Sequence, residues 1–435
     1  MDHQTANALL SFLRACHSPY HAAQVIADRL TEACYTELSE HRPWSLTPGG
    51  RYYLRRNGSS LLSFRIPTDA PTGFLMAAAH SDSPTFKIKD HPEKVGAHYV
   101  QLETEGYGGM LMSSWFDRPL TVAGRVLVQD GGTIRQKLVY LDRDLLVIPN
   151  VAIHMNRAAN DGMTYKANVD TLPLFGPKDA KGGLMALVAE AAGCKEEDIR
   201  SYDLFLRCRE PGTLLGHDEC YILSPKLDDL ECVFGCLEGF LNAEDRCTIP
   251  VLCVFDNEEV GSGSIQGAGS SFLRDTLRRI SLSLGLGEEQ HQMLLSGSFL
   301  VSADNAHAQH PNHPEYADAN NCPYLNEGVV LKFAASQSYT TDGMSAAVFR
   351  SICQGADVPV QVFANRSDLR GGGTLGRIAD AMVPVPSVDI GLAQLAMHSA
   401  VETAGTQDAA YLVQAMTAYY ESGLHRDEDG NFAFG

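Results

Sequence analysis

The segment Val251-Leu252-Cys253-Val254-Phe255-Asp256-Asn257-Glu258-Glu259-Val260-Gly261-Ser262 constrains the fold of this chain more than any other. Its apolar, β-branched start predicts a buried central strand, which delivers two adjacent glutamates and then breaks on glycine. Burying two unpaired carboxylates at a strand end costs several kcal/mol of lost hydration per ion unless a partner compensates. Neighbouring residues of an extended segment point to opposite sides. One glutamate can therefore bind a cation while the other faces a water that the cation holds. A metal-dependent hydrolase needs that division between ligand and general base.

Other acid and histidine clusters follow apolar runs in the same way. His80-Ser81-Asp82-Ser83 comes after Phe74-Leu75-Met76-Ala77-Ala78-Ala79, and alternation puts His80 and Asp82 on one face. The Asp82 carboxylate is then expected to accept a hydrogen bond from His80 and fix its tautomer. Pro225-Lys226-Leu227-Asp228-Asp229-Leu230 opens a predicted amphipathic helix with two acids in its first turn. Asp304 follows Phe299-Leu300-Val301, and His398 follows Val388-Asp389-Ile390-Gly391-Leu392. Singly, each has an ordinary explanation, since a helix-initial Asp caps backbone N–H groups and a buried His is satisfied by core hydrogen bonds. Together they occupy the edge of an α/β sheet where ligands bind.

The motifs His80-Ser81-Asp82-Ser83-Pro84, Trp115-Phe116-Asp117-Arg118, Ile153-His154-Met155-Asn156-Arg157, Leu227-Asp228-Asp229-Leu230, Asp256-Asn257-Glu258-Glu259-Val260-Gly261-Ser262, Asp304-Asn305-Ala306-His307-Ala308-Gln309-His310-Pro311-Asn312 and Met397-His398-Ser399 resemble, in order, those of the aspartyl aminopeptidase family of dizinc metallopeptidases. The resemblance spans nearly the whole chain and implies two Zn²⁺ per subunit, with Co²⁺ or Mn²⁺ as alternatives. It implies that His80 and Asp304 bind one ion, Glu259 and His398 the other, and that Asp228 bridges them. Glu258 becomes the general acid/base and Asp82 orients His80. Lys332, Tyr339, Arg366 and Gly373 fall to the substrate, and His154 reaches a neighbouring subunit's site. Peptides with a free N-terminus, preferably Asp or Glu, are the implied substrates. A homo-oligomer built from dimers, a dodecamer, is the implied assembly.

The segment Lys332-Phe333-Ala334-Ala335-Ser336-Gln337-Ser338-Tyr339 departs from the family pattern by lacking its asparagines and arginine. A broad-specificity or neutral-residue dizinc aminopeptidase, or a deacylase on the same fold, is therefore the alternative. The turn Gly261-Ser262-Gly263-Ser264-Ile265-Gln266-Gly267 is a poor dinucleotide loop, because its third glycine is one residue late and two glutamates upstream repel a pyrophosphate. The turn Arg370-Gly371-Gly372-Gly373-Thr374-Leu375-Gly376 is read as backbone amides lining the substrate pocket.

A length of 435 residues exceeds one ordinary domain. The expected architecture is α/β, an αβα-sandwich metallopeptidase domain with an inserted β-rich dimerisation domain. Residues 1–84 and 225–435 make the first, and 85–224 the second. Within the insertion, residues 160–197 are expected to include a solvent-facing loop. The net charge of −19 argues against a nucleic-acid partner. With 11 cysteines and no CxxC pair, the expectation is buried thiols in a reducing cytosol. The N-terminus lacks a leader pattern, with Leu9, Leu10, Phe12 and Leu13 marking an amphipathic helix instead, and no apolar run is long enough to span a membrane. A cytoplasmic location is expected.

Overall fold

The computed structural model describes residues 3–369 and 371–435. The strand that carries the paired glutamates is Ile249–Phe255, and it runs parallel to Phe74–His80 with Phe255 opposite His80. Phe299–Ala303 pairs in parallel along the other side of Phe74–His80, and Ser387–Gly391 pairs in parallel with Phe299–Ala303. These strands form the middle of a nine-stranded sheet. Antiparallel strands extend it, with Ser60–Arg65 beside Ile249–Phe255 and Val329–Phe333 beside Ser387–Gly391.

Both faces of the central strands are covered, as a parallel sheet requires. Leu75, Ala77 and Ala79 enter a core shared with the helices His3–Ala15, Pro19–Glu32, Leu227–Asn242, Gly343–Gly355 and Asp408–Glu421. Phe74, Met76 and Ala78 point the other way, into a core shared with Phe272–Ser283, Glu288–Ser296 and Leu375–Met382. One strand thus supplies both layers by simple alternation, and the architecture is the expected αβα sandwich. The helix Leu227–Asn242 lies very close to Asp408–Glu421 through Gly235 and Gly239, which leave room for Leu412 and Met416.

A separate, fully antiparallel six-stranded sheet is built from residues 85–208 in the order Thr133–Tyr140, Leu120–Asp130, Ile199–Cys208, Thr85–Val95, Tyr99–Tyr107, Leu174–Pro177. Its own core includes Phe86, Trp115, Val122 and Leu204. The strands Thr213–Leu215 and Tyr221–Ser224 do not continue it. Thr213–Leu215 pairs with Tyr221–Ser224, which pairs with Glu402–Gly405 in a five-stranded sheet that also takes in Ala393–Leu395 and Ala306–His307. The chain therefore rejoins the larger body before Pro225, because Tyr221–Ser224 finds its second partner near the C-terminus. The stretch 160–197, expected to include a solvent-facing loop, also contains the helix Gly183–Ala192, whose Leu184 and Val188 are buried under the inserted sheet. Among the described residues, no helix is long and apolar enough to cross a membrane.

Candidate functional site

Five chain segments meet at the carboxyl edge of the central strands. His80 is the last residue of its strand, and Asp304 follows the next strand by one residue. Asp228 and Asp229 precede the regular part of their helix rather than lying in its first turn. Asp228 has φ −80 and ψ 111, and regular helix begins only after Asp229. The paired glutamates are not extended either, for Glu258–Val260 is a single 3-10 turn. Alternation along a strand thus fails as the reason the two point differently; the turn that follows Asn257 separates them. Lys226, Asn257, Ala396 and His398 have positive φ angles of 61°, 64°, 58° and 67°. Left-handed backbone costs a non-glycine residue about 1–2 kcal/mol, and here it turns the flanking chain so that ligand-type side chains converge.

Two groups result, and they share one carboxylate. His80, Asp228, Asp229 and Asp304 bring ligand atoms within 4.8 Å of one another, and so do Asp228, Glu259 and His398. The Asp228 carboxylate lies between two imidazoles, with Oδ1 3.5 Å from His80 Nε2 and Oδ2 3.3 Å from His398 Nε2. His398 Nε2 is also 3.4 Å from Glu259 Oε1. Asp228 Oδ1, Asp229 Oδ1 and Glu259 Oε1 are buried without hydrogen-bond partners. Unpartnered buried carboxylate oxygens gathered in two adjoining groups are what cations satisfy, and the nitrogen and oxygen donor set suits zinc without a thiolate. The residues present fit the ions. Asp229 stands out only by its position next to Asp228 in sequence, and its Oδ2 accepts the backbone N–H of His80 at 3.1 Å.

The carboxylates respond to this crowding. Burial pushes the Glu258 carboxyl up to about 7, with Asp304, Asp82 and Asp228 adding to the rise and His80 opposing it. Glu259 is held well above the usual carboxylate range, first by burial and then by Asp228. Burial alone would raise Asp228 as well, but the facing imidazoles of His398 and His80 hold it below that range.

The surrounding residues set each side chain's orientation. His80 Nδ1 lies 3.1 Å from the backbone oxygen of Asp82 and 3.3 Å from the carboxylate. The expected carboxylate bond is thus shared with a carbonyl, because the Asp82 oxygens have other partners. Its Oδ1 accepts the N–H of Glu258 and its Oδ2 that of Glu259, each at 3.1 Å, and the Tyr107 hydroxyl donates to Oδ2 at 2.7 Å. Asp82 therefore fixes the glutamate turn as well as facing His80. His398 Nδ1 contacts the Gly109 carbonyl at 2.6 Å, which leaves Nε2 free toward Asp228 and Glu259. Gly108, at φ +74°, passes so close that an added Cβ would lie 3.1 Å from the Glu259 Cβ. Tyr107, Gly108 and Gly109 belong to the inserted body, and only the Gly-rich character of this turn marked it in the sequence.

The residues expected to meet substrate fare differently. Lys332 is 3% exposed, and its ammonium donates to the carbonyls of Asp304 and Asn305, both at 2.9 Å. It braces the Asp304 turn from below and does not snorkel into an open pocket. Tyr339 is buried in a small apolar cluster with Ala306 and Phe363, so its ring is core. Arg366 does line an open cleft of ≈ 350 Å³, together with His307, Phe363 and Met397. Its guanidinium is already bidentate to Asp368, at 2.6 and 2.8 Å. Gly371 and Gly372 line the same cleft, while Gly373 is exposed beside it. Arg370 lies outside the described residues. His154 is exposed in a turn-rich segment together with Val151, Ile153 and Met155, and it belongs to neither ligand group. The root of that segment is held by Asp117, which accepts from the N–H and the side chain of Asn150 at 3.0 and 2.8 Å.

With this geometry in place, known proteins provide the comparison. The family described as aminopeptidase I zinc metalloprotease (M18) matches residues 12–420. The chain is 42% identical over 424 residues to a probable M18 family aminopeptidase 2 of Clostridium acetobutylicum, covering 95% of this chain and 98% of that protein. Among solved structures, a chain of the cryo-EM structure of the Ape4 and Nbr1 complex superposes with a TM-score of 0.92 at 34% identity, covering 96% of this chain and 85% of that one. The S. cerevisiae mApe1 dodecamer superposes with a TM-score of 0.84 at 25% identity, covering 96% and 97%. By the extent of these matches the chain belongs to the M18 family of zinc metallo-aminopeptidases.

Proposed function

We propose that this aminopeptidase works through a two-ion centre bridged by Asp228, with His80 and Asp304 completing one position and Glu259 and His398 the other. The observation that carries the reading is the single Asp228 carboxylate lying within 3.5 Å of one imidazole and 3.3 Å of the other. When bound, the ions lower the proton affinity of the attacking water and hold the substrate's free α-amine. Glu258 takes the proton from that water and returns it to the departing amine. Asp82 keeps Glu258 in place by accepting its backbone N–H, and the Gly109 carbonyl keeps His398 Nε2 turned inward.

The same reading assigns a preference for acidic N-terminal residues, with Arg366 as the cation at the cleft. A neutral preference is the second reading. It is favoured by the pairing of Arg366 with Asp368 and by the use of the Lys332 ammonium on two carbonyls. An acidic side chain must then compete with Asp368 for the guanidinium. Rates on Asp-, Glu-, Ala- and Leu-derived chromogenic substrates separate the two readings. A kcat/KM for Asp and Glu well above that for Ala and Leu supports acidic selectivity, and the reverse order rejects it.

We further assign the inserted body to subunit contact, in an assembly built from dimers. The segment carrying His154 exposes Ile153 and Met155, 48% and 84% accessible, and apolar side chains grouped in this way suit a protein partner. A relative of the same fold is a dodecamer. In such an assembly His154 is the donor that each subunit lends to its neighbour's substrate carbonyl.

A further inference from the structure

We infer that the junction of the two bodies holds a small monovalent anion, of the size of chloride or formate, in a small, partly open cavity beside the metal cluster. The cavity has a volume of ≈ 50 Å³ and is lined from the inserted sheet by Trp115 and Arg207 and from the larger body by His17, Lys226 and Glu402. A water needs about 10–15 Å³ of such space, so an ion and a companion water fit.

Three buried nitrogens on its wall lack hydrogen-bond partners. Trp115 is 3% exposed, and its Nε1–H has no acceptor. Arg207 Nε and His17 Nδ1 are likewise buried without partners. Arg207 spends its other nitrogens on the Tyr140 hydroxyl at 3.0 Å and the Arg14 carbonyl at 3.1 Å, and Lys226 donates to the Cys16 carbonyl. Among the described residues neither cation has an ion pair. The sole carboxylate on the wall is Glu402, and its two oxygens are taken by the N–H groups of Asp228 at 3.0 Å and His398 at 2.7 Å. Two basic side chains lining one cavity without a counter-charge repel one another when charged and lose hydration. Water alone can satisfy the indole N–H but supplies no negative charge to the Arg207 guanidinium. One anion does both, and because its ligands come from both bodies it ties the insertion to the segment that leads into Asp228.

The test is made on the intact, metal-loaded protein. Crystals soaked in bromide are expected to show an anomalous peak between Arg207 and Lys226, and formate soaks a planar density at the same place. In solution the thermal midpoint should rise saturably with sodium chloride or formate and not with sodium gluconate at equal ionic strength. Arg207→Gln and Trp115→Phe should each raise the half-saturating concentration by about tenfold or more, the worth of one charge-assisted bond. A cavity containing only water in the bromide soak overturns the inference. So does a midpoint that rises equally in gluconate, or a chloride effect unchanged in a folded variant.

Discussion

Glu258 and Glu259 are adjacent in the chain but hold different environments, and the difference comes from a single turn. Glu259 brings an unpartnered buried oxygen to within 3.4 Å of His398, while Glu258 belongs to neither ligand group. Replacing Glu258 by Gln keeps its size but removes its basicity. Metal content should stay unchanged while kcat falls by roughly 10²–10⁴-fold. Glu259→Gln should instead lower metal content, and elemental analysis beside kinetics distinguishes the two. Lys332→Met makes a different prediction from the one the sequence suggests. With the ammonium gone, two carbonyls next to Asp304 lose a donor, so activity on acidic and neutral substrates should fall together and tolerance to chelators should drop. A loss confined to Asp and Glu substrates would return Lys332 to the pocket. The resemblance assigns Lys332 to the substrate, but its strand-like surroundings in the sequence do not say which way the side chain points. The direction of its side chain depends on Asp304 and Asn305, which are distant in sequence and become neighbours only through sheet order.

At the scale of elements, what was legible was whatever repeats locally. The apolar runs ending at His80, Glu258, Asp304 and the segment before His398 read correctly as central strands, because burial on both faces leaves an unbroken apolar pattern. The turn over Tyr107, Gly108 and Gly109 was illegible as part of the site, since its role depends on the inserted sheet docking against Asp82 and His398. It is now a strong point of test. Tyr107→Phe removes the hydroxyl that donates to Asp82 at 2.7 Å and accepts from Asn257 at 2.9 Å. Activity should fall roughly tenfold, about the worth of one such bond, with the fold intact by circular dichroism. An unchanged rate would leave Asp82 fixed without it. The helix that presents Asp228 makes a stability prediction instead. A methyl group at Gly239 would sit against Met416, with backbone atoms at 2.9 Å. Gly239→Ala should therefore destabilise by about 1–3 kcal/mol, seen as a lower thermal midpoint.

For the whole molecule, the αβα sandwich and its β-rich insertion follow from the change of pattern along the chain, whereas the return of Thr213–Ser224 to the larger body does not. The short strand Tyr221–Ser224 carries no signal for a partner nearly 200 residues away, Glu402–Gly405. Assembly is the other property that lies beyond one chain, and His154 is its test. Mixing the inactive variants His154→Phe and Glu258→Gln under subunit exchange should restore activity, because each mixed dimer then holds one site with both residues intact. A mixture that stays inactive means that His154 serves its own chain or none. The central claim, however, is the shared Asp228 carboxylate, and metal stoichiometry tests it most directly. Elemental analysis of the zinc-loaded protein should give two ions per chain, one in His398→Ala, and fewer than one in Asp228→Ala. A wild-type protein with one ion per chain, or an Asp228→Ala variant that keeps two, would contradict the bridged centre.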